Sequence, residues 1–168
     1  MSGRRAIFAA MLLAASGSAF AQLQADRYFY LHQGTEVLDT QTELIWRRCA
    51  NGMTLSQDRC VGDAGTLPIS GLPARNTPWR LPTLAELLSL VVQPDPARGG
   101  ATLYINEVVF PDTPPGPLQA AGGPGDIVRY VDFRTGRPGA SRPLNHPVRA
   151  VRETSAQTRE EIRDNKVQ

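Results

Sequence analysis

Residues 79 to 94, WRLPTLAELLSLVVQP, are the one place in this chain where a helix is told both where to start and where to stop. Thr83 followed by Glu86 is a capping box: the Thr83 hydroxyl can accept from the Glu86 amide while the Glu86 carboxylate reaches back to the Thr83 amide. Pro82 stops the helix extending backwards, and Pro94, which lacks an amide and disfavours helix at Gln93, ends it. Between them Leu84, Leu87, Leu88 and Val91 fall on one face, which predicts a core helix over about 83–92. With 14 prolines and 15 glycines in 168 residues, no other stretch carries such an apolar helical stripe. The fold class read from this is α+β: a small antiparallel sheet, one well-defined core helix and long irregular loops.

The first 21 residues stand apart. Arg4 and Arg5 precede an apolar run at 6–15, and Ala19-Phe20-Ala21 makes an A-x-A cleavage site. That run is too short to cross a bilayer, which takes roughly 20 residues. No cysteine follows the cleavage site to carry a lipid. The reading is a Sec-type signal peptide cleaved after Ala21, the arginine pair being only a faint echo of a twin-arginine signal. It predicts a periplasmic or secreted protein with no stable membrane anchor. The rest reads as one domain over 22–152 and a polar tail over 153–168, disordered or a frayed helix.

In an oxidising compartment Cys49 and Cys60, the only cysteines, read as a disulfide. Closing a loop of about ten residues, it would contribute roughly 2–3 kcal/mol. A metal would need further ligands nearby, and His32 and His146 are remote in sequence. Loss of Arg4 and Arg5 takes the net charge from +2 to zero, which speaks against a nucleic-acid partner. The charge is uneven, however: residues 129–152 hold six arginines against Asp132 alone. Arg129, Arg134, Arg137, Arg142 and Arg149 could form a surface for an anionic ligand. The plainer reading is a solvated arginine-rich sheet paired with the acidic first half.

Tyr28 to Leu31 alternates as a strand until Gly34, and Val37-Leu38 and Leu44-Ile45-Trp46 flank DTQT as a hairpin. Residues 50–78 show no period and read as a long loop pinned by the disulfide, and 111–126, with five prolines and four glycines, as no element at all. IVRYVDFRTG reads as a strand and turn, and HPVRAVRE as the last strand, Val148 and Ala150 alternating with Arg149 and Val151.

Several of these pieces together resemble the DUF1566, or Lcl C-terminal domain, family of bacterial exported proteins. They are VLDTQTELIWRR at 37–48, WRLPTLAEL at 79–87, INEVVFP at 105–111, YVDFRTG at 130–136 and HPVRAVR at 146–152. The likeness covers about 35–152. It implies a C-type-lectin-like fold, in which the chain ends meet in a small antiparallel sheet and long loops lie over one side, and it implies binding rather than turnover. Two departures stand out. The family's Trp-Ser-Ser/Thr strand is replaced by the Pro/Gly-rich loop, putting an inherited site in doubt, and Glu43 stands where a turn glycine is usual.

Few residues read as chemistry. Gln93-Pro94-Asp95 has calcium-binding chemistry but directly follows the helix, so it reads as a terminating loop, with no metal site and no cofactor expected. Sulfatase-modifying enzymes share the broad fold and use a thiol, but here both cysteines sit on one stapled loop, and no G-x-S-x-G elbow is present. Trp46 reads as core. Arg80 reads as an internal partner for an acid near the helix start with Trp79 filling the core, the alternative being that the two hold a carboxylate or a sugar. The leading expectation is a non-enzymatic binding or adhesion-type domain recognising a glycan or a protein through its loops. The second is a periplasmic inhibitor or immunity-like partner protein, and an enzyme comes third.

Overall fold

The computed structural model describes residues 27–66, 78–94, 102–123, 127–142 and 145–165; the expected signal peptide and Asp95 lie outside them. Three antiparallel sheets and two α-helices make up the regular structure of the described residues. The largest has strand order β1-β2-β3-β9, from β1 (Tyr28–Leu31), β2 (Glu36–Asp39), β3 (Leu44–Arg47) and β9 (Val151–Glu153). β4 (Thr54–Ser56) and β5 (Arg59–Val61) form a hairpin, and β6 (Pro117–Ala120), β7 (Val128–Asp132) and β8 (Arg137–Ser141) form the third sheet. Small antiparallel sheets with few helices make this an α+β domain.

Helix α1 spans Leu84–Ser89, and both halves of the capping box are made: Thr83 N donates to Glu86 at 2.7 Å and Glu86 N to the Thr83 hydroxyl at 3.2 Å. The helix is shorter than the sequence predicts. After Ser89 the β-branched pair Val91-Val92 leaves the helix to meet the 104–105 segment, Val91 bridging Ile105 and Val92 N donating to the Tyr104 carbonyl at 3.2 Å. The expected apolar face still holds: Leu87 and Leu90 are buried, and Leu84, Leu88 and Val91 pack against the same cluster. That cluster joins Val37, Leu44, Trp46 and Val151 of the first sheet to Leu118, Val131 and Phe133 of the third. Trp46 is fully buried, as its sequence context predicts.

Three elements escape the sequence reading. The loop after Cys49 holds the β4–β5 hairpin, turned by Gln57 and Asp58, both at positive φ (48° and 59°), the conformation a two-residue hairpin turn requires. The Pro/Gly-rich segment contributes β6, so a strand does lie beside β7 although its tryptophan is gone. β8 pairs with β7 from Val128↔Ser141 to Asp132↔Arg137. The tail, open between disorder and a frayed helix, forms α2 over Ala156–Asn165, with Ile162 buried.

One side chain ties these parts together. Arg149 is fully buried without a carboxylate among the described residues. Its guanidinium donates to the carbonyls of Arg47 (2.9 Å) and Arg48, and to the Thr113 hydroxyl (2.9 Å), and stands 4.8 Å over the Phe110 ring. Burial pushes it down to about 9, so it is charged at neutral pH. A guanidinium is the cation best suited to this, being weakly hydrated and presenting a fixed fork of donors. Arg149→Met should leave three acceptors unmet and cost about 2–4 kcal/mol in chemical denaturation. A loss under about 1 kcal/mol would show that the clamp is dispensable.

Candidate functional site

The register of the four-stranded sheet sorts its side chains onto two faces. Tyr30, Val37, Trp46 and Val151 lie in one row, on the side of the main core. Phe29, Leu38, Ile45 and Arg152 form a row on the other side, and Leu31, Glu36 and Arg47 a second row beside it. Trp79 belongs to this outer face. Arg80 bridges Val151 by two backbone bonds, Arg80 N to Val151 O at 2.8 Å and the reverse at 3.0 Å. Because Arg80 shares Val151's side of the sheet, Trp79, one residue earlier, is set on the side of Arg152.

The result is a stacked charge cluster. The Trp79 ring lies 4.4 Å from the Arg47 guanidinium carbon and 5.2 Å from that of Arg152. Glu36 accepts from Arg152 at 2.9 Å and stands 3.9 Å from Arg47, with His32 at 3.6 Å from the oxygen that meets Arg152. Two arginines thus share one carboxylate, and Arg47, with its side chain 46 % exposed, is the one turned to solvent. The expected core role of Trp79 is therefore corrected: it is half-buried against the outer-face cluster of Leu38 and Ile45, and its exposed part lines a groove.

That groove measures about 400 Å³ and runs from Trp79 and Arg47 to Thr35, Asn51 and Thr54. One wall is the Cys49–Cys60 disulfide region, formed as the spacing predicts. The hairpin beyond it is fixed from the far side, since Asp112 accepts from the Cys60 amide at 2.8 Å and from Arg59 at 2.9 Å. Gly52 is required in the wall: it sits at φ +88°, and a Cβ there would lie 2.7 Å from the Asp63 carbonyl.

Arg80 is an internal partner, as its place beside the cap suggests. It makes a fork to Glu86, 2.8 Å at each oxygen, and bonds Glu153. This holds the Glu86 carboxyl below its ordinary range, through Arg80 first and the Thr83 amide after it.

The arginine-rich segment does not converge. Arg149 is buried and cannot contact a ligand, because its guanidinium is spent on carbonyls of β3 and its neighbour. Arg129, Arg134, Arg137 and Arg142 are exposed, but the β7–β8 register sets Arg134 and Arg137 at the turn and Arg129 and Arg142 toward the open end. Arg47, which carries the site's exposed charge, was not singled out by sequence. The signal was there in its place two residues past Ile45, on the same face of the strand and opposite to Trp46. His146 lies 3.4 Å from the Ser141 hydroxyl and edge-on to Tyr130, and burial lowers its pKa. Among the described residues no three His, Cys, Asp or Glu side chains gather as a metal site.

Fold and site define a small α+β domain whose loops are pinned by a disulfide and two buried arginines around one groove. The chain belongs to the Lcl C-terminal domain family, whose model matches residues 35–152. No curated protein and no solved structure matches it. The Glu43 departure has a physical cost, because this residue sits at φ 55°, where a glycine would be unstrained.

Glu86 titrates near 4.5 when unfolded and lower when folded, so its contribution is complete above that value and lost as pH falls through the folded value. Glu86→Gln should therefore lower stability at pH 7 and flatten its acid decline below about pH 5. Parallel acid-denaturation curves for the two proteins would contradict the ion pair's role.

Proposed function

We propose that this protein is an exported, non-enzymatic binding domain that takes an acidic glycan in the groove beside Trp79. The observation that carries the reading is the sharing of one carboxylate, Glu36, by two arginines stacked on a half-buried indole. The excess positive charge sits at Arg47, at the mouth of a groove with hydroxyl and amide groups from Thr35, Asn51 and Thr54. An aromatic face with polar groups around it suits a sugar ring, and a guanidinium fork suits the carboxylate or sulfate it carries. The same reading takes the finer fold class to be C-type-lectin-like, supported by the pairing of the late strand β9 with β3.

Export is proposed from the amino-terminal sequence and fits the disulfide. The exposed arginines of β7 and β8 are not needed by this reading.

The test is a glycan array of neutral, carboxylated and sulfated sugars at two salt concentrations. Acidic sugars should bind, more weakly at high salt. Arg47→Ala and Trp79→Ala should each weaken binding at least about tenfold, the size expected for loss of a charge-assisted or stacked contact. Arg134→Ala with Arg137→Ala should leave it unchanged. Flat signal across the array, or loss confined to the Arg134 and Arg137 variant, would sink the proposal.

A further inference from the structure

A second cavity, of about 350 Å³, opens beside the edge strand β1 and shares no lining residue with the groove beside Trp79 among the described residues. Tyr30, Gly34, Arg48, Asp58 and Val108 line it. Arg48 is its floor: the side chain is 4 % exposed, and the Tyr30 ring centroid lies 4.6 Å from the guanidinium carbon. The walls are apolar and open to water, Tyr30 being 45 % and Val108 61 % exposed. Apolar walls around one fixed polar group are the composition of a small-molecule site.

The bonds from Arg48 are of two kinds. Three run to backbone carbonyls, from Nε to Val109 (2.8 Å), from Nη2 to Val108 (3.2 Å) and from Nη1 to Gly34 (2.9 Å), and these tie the loops. The fourth runs from Nη1 to the Asp58 carboxylate, is long at 3.3 Å, and ends on a side chain that is 87 % exposed. An ion pair so open to water adds little to stability. The backbone nevertheless holds Asp58 in place at a cost, since Gln57 and Asp58 sit at φ 48° and 59°. On the side of Gly34, His32 and Gln33 sit at φ 48° and 55°. Strain of this kind, at four residues other than glycine, gathers where a structure is shaped for binding.

We propose that this cavity is a second ligand site, for a carboxylate joined to one aliphatic body as at the carboxyl terminus of a peptide, and that Asp58 stands in for that carboxylate. The incoming carboxylate takes the Nη1 donor and Asp58 swings into solvent, so the buried guanidinium keeps a full set of acceptors. The aliphatic body covers Val108 and the open part of Tyr30, a gain that Asp58 does not offer. The volume is at the small end for ligand sites, which run from roughly 300 to 1,000 Å³, and suits a single residue. A cationic ligand is disfavoured because Arg48 itself faces it.

The test titrates the full chain with N-acetylleucine, its uncharged amide and hexanoate, followed by backbone amide shifts. The acid should bind, with shifts centred on Tyr30, Asp58 and Val108, and its amide should bind at least about tenfold more weakly for want of a charge-assisted bond. Hexanoate separates the sources: equal affinity supports an aliphatic acid of any origin, weaker binding a peptide terminus. Asp58→Asn keeps the size and the tolerance of positive φ while removing the competing charge, so it should tighten the acid about three- to fivefold. Val108→Asp, at an exposed position, should abolish binding and leave the far-ultraviolet dichroism unchanged. Equal binding of acid and amide, or no binding of the acid, would overturn the proposal. So would weaker binding by Asp58→Asn, which would make Asp58 the binding group and its ligand a cation.

Discussion

A buried positive charge that meets no carboxylate among the described residues is the constraint around which this domain is built. Arg149 replaces water with two carbonyls and a hydroxyl, drawn from two distant parts of the chain. The carbonyls come from the end of β3, the hydroxyl from the turn after Phe110. Arg48 works from the same side, donating to Val108 O (3.2 Å), Val109 O (2.8 Å) and Gly34 O (2.9 Å). Two guanidiniums therefore do for irregular loops what a ladder does for strands, since a buried carbonyl must be met and these forks meet several. The Val108 and Val109 amides of the 106–113 segment are met by Asn106, whose side-chain oxygen accepts from both.

Fixing the end of β3 from beneath has its effect on the opposite face. Arg47 follows Trp46 and precedes Arg48, so the residue presenting charge to solvent sits between a fully buried indole and a buried guanidinium. Its backbone has no freedom to drift: Arg47 N donates to the Ala150 carbonyl at 3.0 Å while its own carbonyl is held by Arg149. Trp79 is placed just as firmly, because the Arg80–Val151 bridge and the Arg80–Glu86 fork set the segment entering α1. The outer face is thus divided between a charged half under Trp79 and an apolar half under α2.

The sequence disclosed those features whose physics is local. The capping box, the β2–β3 hairpin and the disulfide follow from residues within a dozen positions of each other. What it hid depends on distant partners. Gln57-Asp58 is not a usual hairpin turn, and the disulfide and Asp112 anchor β5 to distant parts of the chain while it pairs with β4 across it. β6 is legible as a strand only once β7 lies beside it, since Gly116 and the prolines before it mask the short Leu118–Ala120 run. Arg149 reads like any other arginine in a basic stretch. Its burial is dictated by Phe110 and Thr113, more than thirty residues earlier. The place of Trp79 beside the capping box speaks for the core, whereas the register of one bridge turns it to the outer face.

Native-state hydrogen exchange on the unaltered chain tests the Arg149 account most directly. Amides of Arg47, Asn51 and Val151, whose acceptors are Ala150, Val148 and Arg80, flank the clamp on every side. They should exchange only through global unfolding, with the full denaturant dependence of the whole domain, while amides of α2 exchange through local opening at lower free energy. If the Arg47 and Asn51 amides instead opened locally, as readily as those of α2, the buried arginine would not be what holds this domain and its groove in place.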